Sequence, residues 1–123
     1  MTNTIFDVIN SLYKELMVLG LPIYKEVKKA GEQGSCIVLS YMPIYKNNVN
    51  SINDIVIFIY LKKINGYADS AKISKYCLDI SEILTNFKAD KGMINFNLQE
   101  EPITDNMSED YTVTTYTTRT INS

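Results

Sequence analysis

The sequence has 123 residues and a formal net charge of −2 at neutral pH, which suits a single domain and argues against electrostatic binding to nucleic acids or anionic membranes. Hydrophobic residues make up 46% of the chain and charged residues 21%, so the composition excludes disorder and fibrous repeats. The sequence contains no histidine, which excludes Ser-His-Asp catalysis, Cys-His catalysis and histidine metal sites, and Arg119 is its only arginine.

The first predicted element is an amphipathic helix over residues 4–19. Its apolar positions follow steps of three and four residues, the period of one helical face. These positions are Ile5, Val8, Ile9, Leu12, Leu16 and Leu19. Thr4 and Asp7 form a capping-box-like pair at its start, and Gly20 with Pro22 ends it. No basic segment precedes this apolar pattern, so no signal peptide is predicted.

Two strands and a polar loop are predicted after this helix. A short strand covers residues 23–27, residues 28–34 turn the chain, and a β-rich segment covers residues 35–42 and ends before Pro43. Residues 44–53 are polar and follow neither the helical nor the strand period. They are therefore predicted to form the loop of a long hairpin.

The strongest predicted strand spans residues 54–63 and is apolar on both faces. One face carries Ile55, Ile57, Ile59 and Leu61, and the other carries Val56, Phe58 and Tyr60. Strands of this kind usually lie in the centre of a sheet or are covered on both sides. The longest apolar run of the chain, residues 55–61, is far shorter than the roughly 20 residues of a membrane span, so no contact with a membrane is predicted.

A second helix is predicted over residues 69–87, after a turn at Asn65 and Gly66. Asp69 or Ser70 can cap its first turn. Its apolar residues form an unbroken stripe at the helical period. The stripe consists of Ile73, Tyr76, Cys77, Ile80, Ile83, Leu84 and Phe87.

Two more strands complete the predicted fold. Residues 90–92 give a turn signal, residues 93–99 alternate between apolar and polar, and residues 110–121 form a long, threonine-rich β-prone segment after a loop over 101–110. The order α-β-β-β-α-β-β predicts an α+β fold. We expect a single domain over residues 1–123, with a mainly antiparallel sheet of four or five strands and two packed helices.

The two cysteines, Cys36 and Cys77, form no C-x-x-C motif, so a zinc site or a thioredoxin-like redox site is not predicted. Each lies in an apolar pattern, the first in a strand and the second in a helix. Two buried free thiols in a reducing compartment are the preferred interpretation, and a disulfide is the alternative.

No residue pattern in the chain predicts catalysis, a cofactor or a metal. The segment from Gly31 to Gly34 resembles the GxxG loop of KH domains, but it lies between two strands and carries Glu32 where phosphates would bind, so a hairpin turn is predicted. Asp79 and Glu82 lie off the apolar stripe of the second helix, and Glu100 with Glu101 borders a loop, so both pairs are interpreted as solvated surface. The five glycines form no nucleotide-binding motif.

Two segments are candidates for contacts with other protein chains. The threonine-rich strand is polar on both faces, so it is either an exposed edge strand or a strand that contacts a neighbouring subunit. The loop over residues 44–53 carries apolar tips, which either pack locally or contact a partner. The candidate contact residues are Ile44, Tyr45, Val49, Ile52, Tyr111, Val113 and Tyr116.

The segment over residues 100–110 contains five carboxylates and no lysine. It is interpreted either as a solvated loop or as an acidic rim beside a passage for DNA, where repulsion between like charges keeps the polymer from sticking. The second interpretation requires a ring-shaped assembly.

The order and length of these elements resemble the tail terminator and tail completion proteins of tailed bacteriophages. The resemblance covers nearly the whole chain: the capped first helix, the break at Gly20 and Pro22, the strand over 54–63 before the helix over 69–87, and the final strand. It rests on element order, because that family has no signature residues to match.

The resemblance implies a structural, non-enzymatic role in a virion. It implies a homo-oligomeric ring of six or twelve subunits at the head–tail junction, with neighbouring neck, portal or tail proteins as partners. DNA would pass through the lumen without sequence-specific binding, and the subunits would assemble in the host cytoplasm. The alternative is a small monomeric or dimeric α+β adaptor or regulatory module that binds one protein partner.

Overall fold

The computed structural model describes residues 4–26, 34–46, 51–89, 92–93, 96–98, 101–106 and 110–122. Within these ranges the chain forms two α-helices, one 3₁₀ turn and eight strands. In chain order they are α1 (Ile5–Leu16), the 3₁₀ turn (Met17–Leu19), β1 (Ile23–Lys25), β2 (Cys36–Lys46), β3 (Ser51–Lys62), α2 (Ser70–Thr85), β4 (Lys88–Ala89), β5 (Gly92–Met93), β6 (Phe96–Leu98), β7 (Ile103–Asn106) and β8 (Tyr111–Asn122).

Six of these strands form one mixed sheet. Its order is β1-β2-β3-β8, and both β6 and β7 pair with the far side of β8. The β1–β2 pair is parallel and all other pairs are antiparallel, while β4 and β5 form a separate small hairpin. The predicted α+β fold, with two helices on a mainly antiparallel sheet, is confirmed, although the sheet has six strands where four or five were predicted.

Helix α1 begins at the predicted capping box. The backbone N–H of Thr4 donates to the Asp7 carboxylate over 2.9 Å, and the Asp7 N–H donates to Thr4 Oγ1 over 3.1 Å. Gly20 follows the 3₁₀ turn in the left-handed region, at φ 80°, which a residue with a Cβ adopts only with strain. The first predicted helix and its stop are therefore confirmed.

Helix α2 is capped by Asp69, whose carboxylate accepts from the Lys72 N–H over 3.2 Å. Its predicted stripe faces the sheet, with Ile80 and Leu84 buried. Phe87 follows the helix, is 1% exposed, and packs edge-to-face on Phe96 with 5.2 Å between the ring centroids.

Both helices pack on one face of the sheet, which we call the inner face. The core between them contains Val8, Ile9, Leu12, Leu16, Ile37, Leu39, Ile55, Ile57, Ile59, Leu61, Ile80, Leu84, Phe87 and Tyr116. The opposite, outer face of β3 carries Val56, Phe58 and Tyr60, which are half-buried. The predicted central position of this strand is confirmed. Its inner face is buried in the core, whereas its outer face is only half-buried.

The predicted polar loop over residues 44–53 is wrong for most of its length. Strand β2 continues through Lys46, and β3 begins at Ser51, with Tyr45 paired to Ile52 and a register shift between Pro43 and Tyr45. Residues 47–50 lie outside the described residues. A loop was predicted because this segment is polar and lacks an apolar alternation. It forms strands because the β2–β3 ladder of the neighbouring residues continues through it.

Pro43 does not end β2, because its nitrogen faces the open edge of the sheet. Ile37 N–H donates to Pro22 O, and Leu39 O accepts from Glu26 N–H, each over 2.8 Å, so the odd-numbered residues direct their backbone groups toward β1. Strand β1 ends at Lys25, so no described strand pairs with β2 on this side at Pro43. A proline is compatible with an edge at such a position and makes it a poor template for strand addition.

Strand β8 is not an exposed edge strand, so that alternative for the threonine-rich segment is wrong. It pairs with β3 along its whole length, and with β6 and β7 on its other side. Its inner-face threonines are buried, and their hydroxyls have partners: Thr114 Oγ1 lies 2.8 Å from Thr104 Oγ1, and Thr118 Oγ1 donates to Asn97 O over 3.1 Å. These hydrogen bonds make burial of a polar face compatible with a stable sheet.

The region between α2 and β8 is more broken than predicted. Among the described residues of the predicted strand over 93–99, Phe96–Leu98 pairs with β8, whereas Met93 belongs to Gly92–Met93, which pairs with Lys88–Ala89. The predicted loop over 101–110 contains strand β7, so the loop prediction is wrong for Ile103–Asn106. Most of the turn predicted over residues 28–34 and most of that over 90–92 lie outside the described residues.

Candidate assembly surfaces

The β2–β3 hairpin brings several predicted contact residues together at one end of the sheet. Ile44 is exposed, Tyr45 lies opposite Ile52 in the ladder, and Ile52 is half-buried. Val49 lies outside the described residues. The exposed side chain of Met42 lies close to this cluster along β2, so the hairpin end presents an apolar surface.

The predicted contact residues of β8 differ in their accessibility. Tyr111 is half-buried, but Val113 is 7% exposed and Tyr116 is 4% exposed. Tyr116 belongs to the core, and its hydroxyl lies 2.8 Å from Ser81 Oγ on α2. Val113 and Tyr116 therefore have little surface to offer another chain, and Tyr111 is the accessible candidate of this strand.

The outer sheet face carries one ion pair next to the hairpin end. Asp54 on β3 and Arg119 on β8 are direct partners in the ladder, and the carboxylate accepts from Arg119 Nε over 2.7 Å and from Arg119 Nη2 over 3.2 Å. The hydrogen bond to Asp54 raises the pKa of Arg119. The charge of the chain's single arginine is thus paired with Asp54 on the outer sheet face and does not contribute to a basic binding surface.

A turn over residues 64–67 protrudes after β3, and the sequence did not indicate that its apolar side chains are exposed. Ile64 and Tyr67 exchange backbone hydrogen bonds of 2.9 and 3.0 Å around Asn65 and Gly66, whose φ angles are 52° and 81°. The Asn-Gly pair had predicted a turn, which is confirmed. Tyr67 is 77% exposed, the largest exposed fraction among the large hydrophobic side chains described.

A groove lies between the 3₁₀ turn and α2. It has a volume of about 400 Å³, is open to solvent, and is lined by Val18, Leu19, Asp79, Glu82 and Ile83. Val18 is 76% exposed at its wall. The sequence predicted that Asp79 and Glu82 lie on a solvated face. In the structure they also have the apolar neighbours Val18 and Leu19, which the helical periodicity of α2 could not predict.

The described residues contain no arrangement typical of an enzyme centre. Two further open depressions, of about 460 and 260 Å³, lie at the end of β3 beside Lys62, Lys63 and Asp110, and between α2 and β6 beside Ser81. In the described part of the chain, no three His, Cys, Asp or Glu side chains converge as a metal site would require. No helix among these residues has the length and apolarity to cross a bilayer.

Neither cysteine forms a disulfide, in agreement with the interpretation that was preferred from the sequence. Cys36 is buried on the outer sheet face, and Cys77 is half-buried on α2. Burial raises the pKa of the Cys77 thiol. A raised pKa leaves less of the reactive thiolate at neutral pH than an exposed cysteine has.

We therefore expect native protein at pH 7.5 to react slowly with a disulfide reagent such as DTNB. Cys77 should react at least about tenfold more slowly than in denaturant, because its thiolate is disfavoured and its access is restricted. Cys36 should react only on unfolding. The absorbance change on reaction with DTNB measures the rates, and a Cys77→Ser variant identifies the slow phase of Cys77. Rapid reaction of both thiols in the native protein would contradict the described burial.

Comparison with known proteins finds a similar fold. No protein-family profile matches this sequence, and no curated protein matches it either. Among solved structures, one chain of a virion of a native gene transfer agent (GTA) particle is similar, with a TM-score of 0.63 and 14% sequence identity. The similarity covers 94% of this chain and 93% of that chain. The two chains therefore share a fold over nearly their whole lengths.

Proposed function

We propose that this chain is a structural protein of a phage-like virion, without enzymatic activity. The observation that carries this proposal is the fold shared over nearly the full length with a chain of a gene transfer agent particle. A shared fold is compatible with many functions, so the proposal also draws on the surface of this chain. The open depressions suit contacts between proteins better than they suit the enclosure of a small substrate.

Within the virion, we propose the role of a tail terminator or tail completion protein in a ring of six or twelve copies at the head–tail junction. The element order of the chain supports this role, and so does its charge of −2, because a slightly acidic lumen lets DNA slide. Glu101, Asp105 and Asp110 are exposed, as an acidic rim of the passage requires. The proposed partners are further copies of this chain and the neighbouring neck, portal or tail proteins.

The apolar end of the β2–β3 hairpin is the proposed contact with a neighbouring protein of the junction. Ile44 is exposed there beside Tyr45 and Ile52, and Tyr111 at the other end of β8 is the second accessible candidate. Exposed apolar patches of this kind mark interaction sites more often than they mark ordinary surface.

Co-expression with the products of neighbouring genes tests the proposed function. Electron microscopy of the purified complexes should show this chain as a closed ring at the end of a tail or neck assembly. Ile44→Asp should reduce its incorporation by at least about tenfold, because a carboxylate in an apolar contact is costly. Glu26→Lys, at an exposed position outside the proposed contacts and the acidic rim, is the control for a surface charge change.

A chain that never joins such assemblies and instead binds one unrelated protein as a monomer or dimer would contradict the virion role. That result would favour the adaptor alternative. Circular dichroism of Ile44→Asp must match that of the unaltered chain, so that loss of incorporation reports on the contact rather than on folding.

A further inference from the structure

We propose that the 64–67 turn of one copy docks into the groove between the 3₁₀ turn and α2 of the next copy. This inference rests on the proposed ring function and specifies how its subunits contact one another. The occupant of the groove is a second copy of this chain, because the turn and the groove are both apolar and are opposite to each other in shape and charge.

The 64–67 turn has the properties of an inserting element. Ile64 and Tyr67 are 56% and 77% exposed and stand at either side of a tight turn held by two backbone hydrogen bonds. Asn65 and Gly66 occupy the left-handed region, which fixes the turn before any contact forms. A preformed aromatic tip loses little conformational entropy on docking. Lys62 lies exposed at the base of this turn and adds positive charge.

The groove has the properties of a receiving surface. Its wall carries the exposed Val18 together with the half-buried Leu19 and Ile83. Leu78 is also strongly exposed and lies one helical turn before Glu82 on α2. The volume of about 400 Å³ is of the size that admits an aromatic side chain and part of its turn.

Charge supports the same pairing. Glu82 is exposed at the groove. Asp79 already has an ion pair with Lys75 at 3.5 Å, so Glu82 is the groove carboxylate to which we assign the contact with Lys62 of the next copy. A lysine beside an aromatic tip and a glutamate beside an apolar groove give a contact with an apolar centre and a charged rim, as is typical of protein interfaces.

The two surfaces are separate on one molecule, so one copy can use both at once. Thirteen residues of the α2 segment separate Asp69, next to the turn, from Glu82, which at 1.5 Å per residue is roughly 20 Å. A contact between two different patches is heterologous, and such contacts generate closed rings when the rotation between copies closes. A symmetric dimer would instead place the same patch on both partners.

Charge reversal with rescue tests the inference. Lys62→Glu and Glu82→Lys should each weaken self-association by about tenfold, because each brings like charges together at the rim of the contact. The double variant should return to within about twofold of the unaltered chain, because it restores the pair with opposite polarity. Sedimentation velocity from micromolar to millimolar concentration measures all three, and Glu26→Lys, at an exposed position outside both proposed surfaces, is the control for an unrelated charge reversal.

Two apolar variants test the same contact without charge. Tyr67→Ala removes the inserting ring and should weaken association by at least about tenfold, and Val18→Asp should do the same from the side of the groove. Circular dichroism and melting of each variant must match those of the unaltered chain. Both residues are strongly exposed, so neither change removes a core contact.

Each outcome has a distinct consequence. Loss in the single variants with rescue in the double variant supports the proposed contact. Closed oligomers that persist in all variants would overturn it and leave the virion function standing. Loss with Val18→Asp alone would also overturn it, because another segment would then fill the groove. An unaltered chain that stays monomeric at millimolar concentration contradicts this self-contact, whereas failure to join junction assemblies contradicts the proposed function.

Discussion

Replacing Phe87 with alanine should lower the free energy of unfolding by about 3–5 kcal/mol. Phe87 is 1% exposed at the point where the chain leaves α2, and its ring packs edge-to-face on Phe96. Truncation would leave a cavity in the core beside Phe96, so the lost transfer energy and the cavity both contribute. Urea unfolding followed by circular dichroism measures the change.

Phe6→Ala is the matched control for this prediction. Phe6 is also a phenylalanine with an edge-to-face aromatic neighbour, Tyr41, but it is 61% exposed on α1. Its replacement should cost less than about 1 kcal/mol, because little apolar surface returns to water. Equal destabilisation by the two substitutions would contradict the placement of Phe87 in the core.

Replacing Asp54 with alanine should lower the free energy of unfolding, but by less than Phe87→Ala does. The substitution leaves the Arg119 guanidinium against the outer sheet face without the carboxylate that accepts two of its hydrogen bonds. The loss should be smaller than for a fully buried pair, because about a third of the Arg119 side chain reaches solvent and water screens the charge. Chemical unfolding of Asp54→Ala, Arg119→Met and the double variant gives the coupling between the two side chains.

The reversed pair Asp54→Arg with Arg119→Asp extends this test. If the two charges interact directly across the strands, the reversed double variant should recover at least half of the stability lost in Asp54→Arg alone. Additive losses in the double variant would show that the pair has no direct coupling. The pair also favours one register of β3 on β8, where a slip by one residue would place Asp54 and Arg119 on opposite faces.

Local signals in the sequence predicted the elements whose structure depends on nearby residues. Thr4 with Asp7, Gly20, Asp69 and the helical stripes have their causes within a few positions, so α1 and α2 were predicted with nearly correct ends. The central strand β3 was predicted for the same reason: its apolar run is contiguous.

The errors lie where structure depends on distant residues. Asp54 and Arg119 are 65 positions apart, and nothing local in either segment indicates that they face each other. The burial of the threonines of β8 follows from its neighbours β3, β6 and β7, so an edge strand was an equally reasonable interpretation of the sequence. Pro43 could be accepted within β2 only once the direction of its nitrogen was known.

The candidate surfaces were predicted in part. Apolar residues among polar neighbours indicated the β2–β3 hairpin, and the structure places Ile44 there with an exposed side chain. The exposure of Ile64, Tyr67 and Val18, on which the 64–67 turn and the groove of α2 depend, was not predicted. Apolar residues in these positions are equally typical of buried segments. Their exposure depends on where the sheet and helices end, which no short-range pattern encodes.

The position of β8 in the sheet has a consequence for how the chain folds. Every pair of the β3–β8 ladder joins residues roughly fifty to seventy positions apart, so the middle of the sheet closes by long-range contacts. Chains dominated by such contacts fold slowly, because a large loop must close before the pairing stabilises it. During synthesis, β2 and β3 leave the ribosome well before β8 and have one side of their hairpin unpaired in the meantime. Folding of the complete sheet therefore waits until β8 has been translated.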